Sequence, residues 1–227
     1  MTEELSLIKV LIVDDHELVR MGIRLLLDSA DHIDVVAEAH DGDTALKAVK
    51  AHHPDVILLD MKMPGMDGWE VTRRLKQIKN NIRIIVLTAV TTDPLPTKLL
   101  QLGAMGYLTK DSAAEEMLQA IQKVFEGEQY LSAAIAQKMA LSSLKPSKAS
   151  PLDDLSEREM QVMLMITRGL TVNQIGEKLF LSPKTVGTYR YRMFEKLGIK
   201  NDIELMHFAI KHGVFEPHAD ETKDTIS

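Results

Sequence analysis

A doubly wound five-stranded parallel α/β sheet, followed by an all-α four-helix domain with a helix-turn-helix, is the fold class the sequence predicts. Three observations carry this. Strand-like and helix-like segments alternate through the first 130 residues. Past a Ser-, Pro- and Lys-containing stretch the strand signals stop and only short helices follow. Those helices open on side-chain caps, and two of them stand about three residues apart, as in a helix-turn-helix.

The strands are read at "KVLIV" (9 to 13), "DVVAEA" (34 to 39), "DVILL" (55 to 59), "IRIIVL" (82 to 87) and "MGYLT" (105 to 109). Such β-branched and aliphatic runs suit strands buried on both faces of a parallel sheet. Four amphipathic stretches of helical period lie between them. In the fourth, "TTDPLPTKLLQLG" (91 to 103), two prolines confine the helix to residues after Pro94. A fifth helix follows in "SAAEEMLQAIQKVFEG" (112 to 127), with Met117, Leu118, Ile121 and Val124 apolar and a stop at Gly127.

Residues 1–130 therefore form the first domain, and 131–151 a partly helical linker, "SSLKPSKASP" (142 to 151) having flexible composition. Residues 152–215 form the second domain. Ser156 with Glu159 and Thr171 with Gln174 read as capping boxes, and Ser182 with Pro183 as an N-cap and first-turn proline of a helix running to about Leu197. The polar tail 216–227 reads as disordered.

Composition narrows the class. A chain of 227 residues with 45% hydrophobic content is long enough to bury two cores, and the absence of cysteine excludes disulfides and thiolate metal sites. No apolar run approaches a membrane span, and "MTEELSLIKV" lacks the basic region and apolar core of a signal peptide. A cytoplasmic protein is expected. The net charge of −6 favours solubility and names no partner.

In an open α/β sheet, ligands bind outside the carboxyl ends of the strands. Strand one ends in Asp14 and Asp15, strand three in Asp60, strand four in Thr88 and strand five in Lys110. Three converging carboxylates repel one another unless a cation sits among them, and Mg²⁺ favours a few carboxylates with waters and phosphate oxygens. The lysine charge and the threonine hydroxyl suit a phosphoryl group held on one acid. Asp60 stands alone at its strand end, and a carboxylate can take phosphorus as an aspartyl-phosphate. Behind it Pro64, Gly65 and Gly68 of "MPGMDG" turn the chain away.

These residues resemble the receiver domains of two-component response regulators, over essentially all of residues 7 to 130: the acid pair, "DMKMPGMDG", "TA" at 88 to 89 and "GYLTK" at 106 to 110. The resemblance implies that Asp60 accepts phosphate from a sensor histidine kinase. It implies that Asp14, Asp15 and Asp60 with the Lys62 carbonyl serve Mg²⁺, and that Thr88 and Lys110 bind the phosphoryl oxygens. It also implies a switch in which Thr88 is drawn towards the phosphoryl group and Tyr107 turns into the space vacated. One departure is Asp111, where many receivers place proline after the lysine.

On the predicted 183–197 helix, Val186, Met193 and Leu197 suit the core, whereas Lys184, Arg190, Arg192 and Lys196 set four cations against Glu195. Thr185, Thr188, Tyr189 and Tyr191 can hydrogen-bond to phosphates or base edges. The whole of 152–215 is not basic: nine Lys+Arg against eight Asp+Glu leave +1. "LSEREMQVM", "LTVNQIGEKLFLSPKTV" and "FEKLGI" resemble the LuxR-type output domain of NarL/FixJ regulators, and "SPKTVGTYRYRMFEKL" the GacA/UvrY subgroup. Carried over by position, Gly187, Thr188 and Tyr191 face base edges, while Lys184, Thr185, Tyr189, Arg190 and Arg192 lie near phosphates. Gly187 departs from the longer polar side chain usual there, makes no side-chain base contact, and costs the helix about 1 kcal/mol relative to alanine. In "NDIELMHFAIKHGVF" (201 to 215) the resemblance implies dimerisation, with Ile203, Met206 and Ile210 as its apolar residues.

The reading is a phosphorylation-activated transcription factor, a homodimer when phosphorylated, binding double-stranded promoter DNA and no membrane. The subgroup implies activation of small regulatory RNA or virulence-related genes. No enzyme activity is expected beyond phosphoryl transfer to Asp60 and hydrolysis from it. A haloacid dehalogenase-type phosphatase would want a second acid two residues after its nucleophile, where this chain has Lys62. An alternative keeps the phospho-switch but has the output domain act through protein partners. If all four cations of each helix met phosphates, a dimer would show a log–log salt slope of roughly −7.

Overall fold

The computed structural model describes residues 7–78, 81–88, 95–144, 151–152, 154–212 and 214. The stretch 145–150 and the tail 216–227, read from sequence as linker and disordered end, lie outside them. The chain divides into two compact units, Met1–Pro146 and Ser147–Ser227, each described by itself.

The first unit alternates β1 (Ile8–Val13), α1 (Glu17–Leu27), β2 (Ile33–Ala39), α2 (Gly42–His52), β3 (Val56–Asp60), α3 (Gly68–Ile78), β4 (Arg83–Thr88), α4 (Leu95–Gln101), β5 (Gly106–Thr109) and α5 (Ala114–Phe125). The sheet is parallel, in the order β2-β1-β3-β4-β5-β6. It has six strands rather than the expected five. The sixth, β6 (Tyr130–Leu131), pairs with β5 at the edge and is too short for any periodicity to betray it. Helix α6 (Ala133–Leu144) follows, so most of the stretch read as a partly helical linker is helix within the first unit.

Strand alternation sorts the core into two layers. Ile8, Val10 and Ile12 of β1 pack with Ile23 and Leu27 of α1 and with Met117, Ala120, Ile121 and Val124 of α5. Leu11 and Val13 face the other way, onto Ala45 and Val49 of α2 and Val71 and Leu75 of α3. Full burial stabilises each larger aliphatic side chain by about 1.5–3 kcal/mol. Both faces of the sheet are thus covered, and polar groups are left to the strand ends.

The second unit holds α7 (Glu157–Thr167), α8 (Val172–Leu179), α9 (Pro183–Leu197) and α10 (Asp202–Lys211). Ser156 and Glu159 form the capping box of α7, Thr171 and Gln174 that of α8. Ser182 caps α9, whose first residue is Pro183. Helix α7 is buried along most of its length and packs against α9 and α10, while α8 packs against α9. Only Phe180, Leu181 and Ser182 separate α8 from α9. Among the described residues no helix is long and apolar enough to cross a membrane.

One glycine fixes the chain beyond β3. A Cβ at Gly68 would run into the Asp60 carbonyl oxygen and lie 2.8 Å from the Met61 Cα, both backbone atoms that cannot yield. At Gly22, inside α1, a Cβ would meet nothing within 4 Å. Gly68→Ala is accordingly expected to destabilise the first unit by about 1–3 kcal/mol, whereas Gly22→Ala should stabilise it by up to about 1 kcal/mol. Urea unfolding followed by the fluorescence of the sole tryptophan, buried Trp69 of α3, measures both.

Candidate functional site

The acids meet where the strand order reverses. Strands β1 and β3 are neighbours in register Val13↔Leu59, which sets Asp14, the residue after β1, beside Asp60, the last residue of β3. Their side chains are 0% and 2% exposed. Lys110 follows β5 and reaches across the end of β4 to place Nζ 2.6 Å from Asp14 Oδ2 and 3.1 Å from Asp60 Oδ2. Asp15 completes the acid group, half-buried.

Sequence reading missed His16, although its place directly after the acid pair was the available signal. Its main-chain N–H donates to Asp14 Oδ1 at 2.9 Å, and its Nδ1 lies 2.8 Å from Asp15 Oδ1. Asp14, Asp15, His16 and Asp60 each offer one ligand atom within 4.8 Å of the others, a set able to hold a metal ion. Asp15 Oδ1 and Asp60 Oδ2 are buried oxygens with no hydrogen bond of good geometry, although the His16 ring lies beside the first and the Lys110 ammonium beside the second. Unsatisfied carboxylate oxygens turned to one point fit a hard divalent cation. Lys62 is half-buried, and its main-chain N–H donates to the Asp60 carboxylate.

Burial pushes the Asp60 carboxyl above its usual range and the Asp14 charge adds to this, while Lys110 and the Lys62 N–H oppose it without prevailing. Burial alone would lower the Lys110 ammonium, but Asp14 and Asp60 hold it above its ordinary value. One lysine therefore serves two buried acids.

Thr88, the last residue of β4, is buried, and its carbonyl accepts the Lys110 N–H at 3.0 Å. Tyr107 is also fully buried, and its phenol is hydrogen-bonded to the Thr88 side chain. Burial pushes that phenol well above its usual range. The ring thus occupies the inward position, and the two residues expected to couple through vacated space are in direct contact.

In the second unit, α9 buries Val186, Met193 and Leu197. Lys184, Thr188 and Tyr191 are exposed and, with half-buried Gly187, fall at helical spacing on one face. Arg192 is exposed, while Thr185 and Tyr189 are half-buried. A Cβ at Gly187 would meet nothing within 4 Å, so packing does not impose glycine there. The cations divide into two pairs. Lys184 and Arg192 have no side-chain ion pair among the described residues. Lys196 donates to Glu159 Oε2 at 2.6 Å and to the Asp154 carbonyl at 2.9 Å. Arg190 makes two bonds, of 2.9 and 3.0 Å, to the carboxylate of Asp202. Ile203 and Ile210 of α10 are exposed and Met206 half-buried, whereas Leu205 and Ala209 face the core.

A lysine-bridged acid cluster at the switch point of a parallel sheet, joined to a capped helix-turn-helix unit, defines a two-part regulator with an input and an output domain. Known proteins agree. Residues 10–122 match the response regulator receiver domain, and residues 153–209 match the bacterial regulatory proteins of the luxR family. The chain is 53% identical to the response regulator UvrY of Escherichia coli O6:H1 over 92% of its length and 96% of that protein. It is 50% identical to the response regulator GacA of Pseudomonas aeruginosa, over 92% of this chain and 99% of that one. Among solved structures, RcsB of Salmonella typhimurium superposes with a TM-score of 0.75 at 26% identity, covering 92% of this chain and 99% of its own. RcsB of Salmonella enterica bound to promoter P1flhDC with the phosphomimetic BeF₃⁻ gives 0.73 at 27% identity, covering 88% and 97%. The chain belongs to the response regulators that carry a LuxR-type DNA-binding domain.

Because Asp60 holds its proton more tightly folded than unfolded, its ionisation costs the fold stability. That cost is absent below the unfolded carboxyl value and grows as pH rises through the folded one. Asp60→Asn should therefore raise the melting midpoint at pH 7 in chelator, with the gap closing as pH falls below about 4. Melts followed by Trp69 fluorescence across pH check both the direction and the window.

Proposed function

We propose that Asp60 accepts a phosphoryl group from the histidine of a sensor kinase: the N–P bond breaks as a bond from a carboxylate oxygen to phosphorus forms. The observation that carries this is Lys110 spanning Asp14 and Asp60 at the strand ends, with carboxylate oxygens unsatisfied beside it. Asp14, Asp15, Asp60 and the Lys62 carbonyl would hold Mg²⁺, which supplies charge neutralisation when bound. Lys110 and the Thr88 hydroxyl bind the phosphoryl oxygens. Drawing Thr88 onto phosphate breaks its hydrogen bond to Tyr107, so the signal leaves along β4 and β5. Apart from this transfer and the return hydrolysis, the protein is no enzyme, and it works in the cytoplasm.

The output is promoter binding by a phosphorylation-favoured dimer through the exposed face of α9, with Ile203, Met206 and Ile210 at the dimer face and activation of small regulatory RNA or virulence-related genes as the subgroup's expected outcome. The RcsB complex with promoter DNA and a phosphomimetic supports the reading. Moving a population from 1:99 to 99:1 takes about 5.5 kcal/mol, so dimer and DNA contacts must add to what one phosphoryl group supplies. Since Arg190 and Lys196 are already paired, two cations per helix remain without an ion pair among the described residues. The salt slope of a dimer is then about −3.6 rather than −7.

DNA binding and sedimentation of the wild type and Asp60→Ala, with acetyl phosphate and Mg²⁺, test this. The donor should tighten wild-type binding by about tenfold or more and drive dimerisation. Asp60→Ala should not respond, and chelating the cation should abolish the wild-type response. Equal responses in the two proteins would sink the assignment of Asp60. Binding that ignores salt, or no binding, would favour an output domain acting on protein.

A further inference from the structure

The four residues Gly198, Ile199, Lys200 and Asn201 join α9 to α10, and a second link crosses directly between the helices. Arg190 lies on α9, and Asp202 is the first residue of α10, behind the Asn201 cap that accepts the Glu204 N–H. The Arg190 Nε and Nη2 meet the two carboxylate oxygens of Asp202 at 2.9 and 3.0 Å. The Cζ of the same guanidinium lies over the Phe194 ring, 4.6 Å from its centre. Carboxylate and ring together hold Arg190, whereas Lys184 and Arg192 have no such ion pair among the described residues. A phosphate competing for this arginine would have to displace an intramolecular, two-point partner.

We infer that Arg190 is a positioning residue: it locks the recognition helix α9 to the dimer helix α10 through Asp202, and does not neutralise a DNA phosphate. This rests on the DNA-binding reading above and assigns Arg190 otherwise than the family resemblance does. In a two-fold dimer built on the exposed Ile203 and Ile210, the angle between α9 and α10 sets the separation of the two recognition helices. Half-site spacing is thereby read through an ion pair that touches no DNA.

The test uses the full-length protein treated with acetyl phosphate and a duplex selected by the wild type from a random-sequence pool. The same two half-sites are also prepared with the spacer lengthened by one to four base pairs. Arg192→Gln, the reference for a phosphate contact, should reduce the dimer's salt slope by about 1.8. Arg190→Gln and Asp202→Asn should leave the slope unchanged, weaken binding to the selected spacing about tenfold, and flatten the preference among spacings. Arg190→Lys keeps the charge but loses the fork, so it should behave like Arg190→Gln. The inference is overturned if Arg190→Gln lowers the slope as Arg192→Gln does, if Arg190→Lys restores wild-type binding, or if Asp202→Asn tightens binding by releasing the arginine. Failure of the wild type to select any duplex would instead remove the DNA-binding reading, and this assignment with it.

Discussion

Two carboxylates buried side by side with one ammonium between them form the interaction around which the first unit is arranged. Neither acid is exposed enough for water to screen it, and the Lys110 ammonium reaches both. Such a cluster is a poor contributor to stability, because desolvation opposes every charge placed in it. It persists because the surrounding layers over-determine it. β1 and β3 hold the acids by register, and β5 delivers the lysine, while the apolar layers on both faces provide the stabilisation the strand ends lack. Any charge added at that point, as the proposed phosphorylation would add, acts on buried groups that water does not screen.

The second unit solves its charge problem differently. Burial would raise the Glu159 carboxyl, yet the Lys196 ammonium and the Ser156 cap outweigh it and hold the group below its usual range. A residue that caps α7 therefore also takes a cation from α9, and the helix offered to a partner is tethered at its far end by the core. The charge on α9 is divided by function: Arg190 and Lys196 hold the domain together, while Lys184 and Arg192 face outward.

The sequence exposed those parts of the molecule that are local or periodic. Every principal strand and the caps at Ser156, Thr171 and Ser182 follow from patterns within a few residues, as does the placement of Asp14, Asp60, Thr88 and Lys110 at strand ends. Strand β6 stayed hidden because two residues have no period. Pairing between distant side chains stayed hidden for another reason: a count of cations on α9 does not say that Asp202 and Glu159 have claimed two of them. Likewise, the run "GYLTK" shows an aromatic near a strand end, but not that its ring is wholly inside and bonded to Thr88.

Lys110 and Asp14 stand 96 positions apart in the chain. In a parallel sheet each strand waits on a crossover helix, so the acids of β1 are made long before their counter-charge. At a synthesis rate of about 5–20 residues per second, the nascent chain carries its unneutralised acid pair for several seconds before the lysine emerges. Closing that long loop belongs to the slow, non-local part of folding. A chain that stops short of β5 would keep its acids and lack the lysine that bridges them, so the competence of the site is itself a report that the input domain has been completed.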